Sequence, residues 1–158
     1  MKSDIDALMQ ARKIDALVVL GDAQHNPAMV YFTGRGHINN AILVKEHGKD
    51  AVIFCNDMER EEASRSGLKV NCYSEYPMDD FTKASNGDTN LASAMRIQKM
   101  FSDLGLVSGN VSLYGRTEFG TYFSIFNHLQ KLAPELSFVG ENSESSIILK
   151  AMETKDEQ

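Results

Sequence analysis

Tyr31-Phe32-Thr33-Gly34-Arg35-Gly36-His37 joins two aromatic residues to a Gly-x-Gly turn that carries an arginine and a histidine. Two apolar runs follow, residues 41–44 and 51–54, separated by a short polar stretch with Gly48 inside it. Runs of this kind joined by a glycine-containing loop predict an antiparallel hairpin. Upstream, residues 16–20 are wholly apolar and end at Gly21, as expected of a strand buried on both faces. Before that strand, Ser3 is placed to cap a helix whose apolar positions Ile5, Leu8 and Met9 share one face. Pro27 opens a short helical or turn segment that leads into Tyr31.

Downstream, Asn56 and Glu59 have capping-box spacing for a helix that stops at Gly67. Residues 70–73, 111–114 and 136–139 are expected strands. Residues 76–90 contain Pro77, Asp79-Asp80 and Ser85-Asn86-Gly87-Asp88, the composition of a mobile surface loop. A helix is expected from about residue 90 to 104. A second, capped by Thr117, places Phe119, Tyr122, Phe123, Phe126 and Leu129 at three- and four-residue steps. Residues 143–152 form an expected terminal helix before a charged end. Six strands with helices between them define an α/β domain. The hairpin makes its sheet mixed, and the apolar strands require helices on both faces.

At 158 residues the chain fits a single domain with a real core. Its net charge of −6 comes without a basic stripe, so nucleic acid is not an expected partner. No apolar run approaches the ~20 residues of a membrane span, and residues 1–6 lack the apolar core of a secretory leader. Two cysteines, Cys55 and Cys72, are too few for a disulfide framework; free thiols in the cytoplasm are the simplest expectation.

Candidate chemistry is sparse. Of the four histidines, His25, His37, His47 and His128, none has metal-site spacing to another. Asp22 and His25 come nearest to a pair, at the end of the first strand, although a polar loop explains them more simply. Cys55 lies at a helix start, where a thiol can be activated, but a buried structural cysteine is the plainer reading. Arg35 and His37 are the better candidates. Their neighbouring glycines let the backbone turn tightly, and a loop arginine suits carboxylate recognition because its planar fork binds both oxygens. A surface turn with incidental charges accounts for the same residues equally well.

Taken in order, these segments resemble the amino-terminal domain of the creatinase, prolidase and aminopeptidase P family. Residues 14–19 resemble its opening helix-to-strand passage. Tyr31-Phe32-Thr33-Gly34 is similar to its Tyr-Leu-Thr-Gly, and residues 59–63 to the segment after its hairpin. Residues 150–157 resemble Arg-x-x-Lys-Thr-Pro-x-Glu, with Lys150, Glu153 and Lys155 replacing Arg, Lys and Pro, and with Thr154 and Glu157 in agreement.

The resemblance implies a ribonuclease-H-like fold in residues 1–150, with residues 151–158 starting the linker to a catalytic domain missing from this chain. That "pita-bread" domain would hold two divalent metal ions beyond Gln158, on two Asp, one His and two Glu. This chain would then hold no catalytic residue, metal or other cofactor. Its implied partners are its own catalytic domain, a second subunit in a homodimer and, through the parent hydrolase, proline-containing peptides. Arg35, His37 and Tyr31 would face substrate. Two alternatives stay open: a protein-interaction module of an inactive peptidase-like protein, and a stand-alone small-molecule enzyme using Asp22, His25 and Arg35.

Overall fold

The computed structural model describes residues 2–141 and 146–156. Its elements run α1 (Lys2–Arg12), β1 (Ala16–Gly21), α2 (Pro27–Thr33), β2 (Ala41–Glu46), β3 (Val52–Cys55), α3 (Arg60–Ser64), β4 (Lys69–Cys72), α4 (Met78–Ala84), α5 (Thr89–Leu104), β5 (Gly109–Arg116), α6 (Phe119–Leu132), β6 (Leu136–Val139) and α7 (Ile147–Asp156). The six strands form one sheet in the order β4-β3-β2-β1-β5-β6. β2 is antiparallel to both neighbours, and every other pair is parallel. The mixed α/β sheet expected from the sequence is therefore present.

All six β1 residues are buried, because helices cover both faces of the sheet. Leu17 and Val19 face a core shared with Ile5, Met29, Ile53 and Ile147. Ala16, Val18 and Leu20 face the opposite core, with Phe54, Ile97, Phe101 and Leu129. Burying each large aliphatic side chain stabilises the fold by about 1.5–3 kcal/mol. The sheet's edges are the short strands β4 and β6.

Local expectations fared unevenly. Ser3 lies inside the first turn of α1 instead of ahead of it. Asn56 makes no side-chain cap; a single 3₁₀ turn, Asp57–Glu59, leads into an α3 that ends at Ser64. The expected loop over residues 76–90 contains α4, which Pro77 precedes and whose first turn carries Asp79 and Asp80. Proline and early acids start a helix as readily as they punctuate a loop. Asp88 caps α5 by accepting from Leu91 N, and Glu118, not Thr117, caps α6 by accepting from Gly120 N and Thr121 N. α7 runs unbroken from Ile147 to Asp156, with Ala151 buried. The expected start of that helix, 143–145, lies outside the described residues.

Lys45, at the end of β2, is a buried cation with full compensation. Its ammonium donates to Asp6 Oδ1 at 2.7 Å, Glu46 O at 2.8 Å and Lys49 O at 2.6 Å. Burial tends to raise the Asp6 pKa, but the bonds from Lys45 and Gly48 N and the Lys45 charge bring it below its ordinary value. A depressed folded-state pKa contributes stability that is present above the unfolded value and lost as pH falls through the folded one. Thermal melts should therefore lose stability below about pH 4, and Asp6→Asn should flatten that limb. An identical acid limb in the variant would assign the loss to other carboxylates.

Gly115 sets how closely β5 approaches β1. Its φ is 125°, and an added Cβ would lie 2.1 Å from the Leu20 carbonyl oxygen. Gly115→Ala should cost at least about 2 kcal/mol, from backbone strain together with the clash. Urea unfolding measures this; a loss below about 0.5 kcal/mol, within the ordinary surface range, would mean that the strands separate freely.

Candidate functional site

β2 runs against the parallel strands, so its amino end lies at their carboxyl ends. The loops carrying Asp22 and His25, Arg35 and His37, and Asn56 consequently gather at one end of the sheet. Gly34 ends α2 with φ 75° and ψ −162°, and its N–H donates to Val30 O. That conformation favours glycine. Gly36 lacks a positive φ and serves differently: a Cβ there would lie 3.3 Å from Glu62 Oε1.

The loop beyond Gly34 is braced. Both Glu59 carboxylate oxygens accept from Asn39 N, at 3.1 and 3.0 Å, and Oε1 also accepts from Asn39 Nδ2 at 2.7 Å. Asp22 Oδ1 accepts from Asn40 N at 2.7 Å, while Asn40 holds a left-handed φ of 48°. Ala23 N donates to Ile38 O at 2.8 Å, and the Tyr73 hydroxyl donates to Asn40 O. Ile38 is buried beneath the loop. Sequence reasoning named Glu59 as part of a capping box and Asp22 as a neighbour of His25, but missed that both brace this loop. Glu59 acts 20 positions from its partner, beyond any local spacing rule.

Arg35 is exposed and makes no hydrogen bond or ion pair among the described residues. His37 is exposed, and the Gln24 side-chain amide donates to its Nδ1 at 2.6 Å. Tyr31 lies four residues before Arg35, on α2, and turns inward. Its hydroxyl donates to Ala151 O at 3.4 Å, and its ring meets Phe32 edge-on. Burial, with the nearby Asp4 charge, raises its pKa. The structure thus places Arg35 and His37 on one loop, with Tyr31 holding α2 against α7.

Asp22 is committed to Asn40, and His25 occupies a turn with φ 57°. His128 Nε2 lies 3.9 Å from Asp88 Oδ2. Among the described residues, no group of three or more His, Cys, Asp or Glu is placed to hold a metal ion. No helix among them is long and apolar enough to cross a membrane.

Cys55 and Cys72 are paired in register on β3 and β4, and both are free and buried. Burial, aided by the neighbouring Cys72, Glu59 and Asp57, pushes the Cys55 thiol up to about 11, the reverse of nucleophilic activation. Both thiols should resist a disulfide-exchange reagent at pH 8 until denaturant is added, when two per chain should react. Rapid labelling of the native protein would show that the β3–β4 edge opens.

Comparison with known proteins fits this architecture. The Creatinase/Prolidase N-terminal domain family matches residues 3–140. The chain belongs to that family. No curated protein matches it. Among solved structures, it is similar to the X-Pro aminopeptidase of Thermotoga maritima MSB8, with 16% identity and a TM-score of 0.60 over 97% of this chain and 35% of that one. It is also similar to the aminopeptidase P of Streptococcus thermophilus, with 14% identity and a TM-score of 0.58, covering 96% and 94% of the two chains. A third similarity is to the Creatinase/Prolidase N-terminal domain of an X-Pro dipeptidase from Streptococcus pyogenes, with 16% identity and a TM-score of 0.53 over 89% and 94%. The chain therefore spans about a third of the Thermotoga maritima protein and nearly all of the two streptococcal chains.

Proposed function

We propose that this chain is the non-catalytic amino-terminal domain of a Xaa-Pro dipeptidase- or aminopeptidase-like metallopeptidase, where it shapes substrate access and dimerisation. The observation that carries the proposal is the braced loop: Arg35 projects, exposed and unpaired among the described residues, from a backbone fastened at Asn39 and Asn40. A guanidinium on a fixed base meets a carboxylate with little ordering cost. Arg35 and His37 would face substrate, with Tyr31 setting the angle of α2 behind them.

Hydrolysis would belong to a catalytic domain reached through residues 151–158, with two divalent metal ions held there. The described residues of this chain do not fit such a centre, so no step of the reaction is assigned to them. The partners in this reading are that domain, a second subunit and proline-containing peptides, in the cytoplasm. A second reading, a protein-interaction module, draws on the exposed Phe119 and Phe123 of α6, whose ring centroids lie 5.7 Å apart.

Kinetics of a protein carrying this domain beside its catalytic domain provide the test. A charge-assisted contact contributes about 1.5–3 kcal/mol, so Arg35→Ala should lower kcat/KM for a Xaa-Pro dipeptide about 10- to 150-fold. The melting temperature should hold, because an exposed side chain has little packing to lose. Unchanged kcat/KM would remove Arg35 from substrate recognition.

A further inference from the structure

At the same end of the sheet, on the face covered by α5 and α6, lies a separate pocket of about 370 Å³. Tyr73, Asn56 and Ser93 contribute to its polar wall, Ile97 and Ile125 to its apolar part, and Arg96 supplies a cation. No residue lining it is acidic. The chain has 22 acidic residues against 16 lysines and arginines, so a carboxylate partner for this arginine was readily available. None is used: Arg96 forms no ion pair among the described residues.

The guanidinium is only partly compensated. One nitrogen donates to Tyr73 O at 3.2 Å, and the Tyr73 ring lies 4.3 Å from Cζ. Nε is buried without a hydrogen-bond partner among the described residues. Burial lowers the Arg96 pKa, the sign of a cation held away from water. Nε is closed to solvent, so an oxyanion would meet the guanidinium at its terminal nitrogens, where a charge-assisted bond offsets the cost of holding an unpaired cation half-buried. Hydroxyl and amide groups beside an apolar wall suit a ligand with one charged end and one apolar body. α/β sheets also bind ligands outside the carboxyl ends of their strands.

The geometry points to a binding site for a small organic carboxylate, its acid group on the Arg96 guanidinium and its apolar body against Ile97 and Ile125. The pocket shares Asn40 and Tyr73 with the brace of the Arg35 loop but does not include Arg35 or His37, and a test on this chain alone reads it separately from the peptidase reading.

Benzoate, with benzamide as its neutral counterpart and inorganic sulfate as a bare anion, provides the probes. In NMR titrations of the isotope-labelled 158-residue chain, benzoate should produce saturable shifts at Arg96 Nε–H, Ser93 and the Asn56 side-chain amide. Benzamide and sulfate should each bind at least about tenfold more weakly, since each lacks one half of the match. Arg96→Gln should weaken benzoate binding by roughly tenfold or more. Ser93→Leu keeps Arg96 and fills the pocket; it should block benzoate while leaving the rest of the spectrum intact, and it decides the matter if Arg96→Gln does not fold. Absence of saturable shifts, sulfate binding as tight as benzoate, or unchanged affinity in Ser93→Leu would overturn the assignment.

Discussion

The central constraint is the burial of β1 between β2 and β5. Two helical layers must cover its faces, and its backbone polar groups must be met by strands on both sides. β2 meets it antiparallel through the hairpin, and β5 meets it parallel after the chain has crossed the sheet. Gly115 then lets β5 come close enough to pair along the full length of β1. The division into two cores and the clustering of loops at one end both follow.

Carboxylates at that end are used for local architecture. Glu59 and Asp22 accept backbone donors from Asn39 and Asn40, which would otherwise have only solvent. Arg35, exposed on the same loop, bonds to neither acid. The contrast gives the loop its character: acids from the neighbouring segments fasten its backbone, and its own arginine is left over. Arg96, on the other face, has an aromatic ring and a carbonyl in place of a counter-ion, and they compensate it only in part.

Much of this fold was legible in the sequence because apolar periodicity reports burial directly. The residues 16–20 run, the hairpin and the Phe-rich helix were each located from it. Termini were harder to read, since several nearby side chains can cap the same helix. Thr117 and Glu118 are adjacent, and only geometry chooses Glu118. α4 escaped because a seven-residue helix carries little periodic signal and its Pro77 and acids also suit a turn. Arg35 and His37 were singled out through their glycines. The Glu59 brace and the Arg96 pocket were not, because both depend on residues brought together from distant segments.

The four-residue edge strands have a consequence for how copies of the fold can meet. β4 carries Lys69 and Asn71, and β6 carries Ser137, so neither edge offers a long, flat, apolar row of free peptide groups. Joining sheets edge to edge into a continuous ribbon is thereby disfavoured, and with it the route by which β-rich domains polymerise.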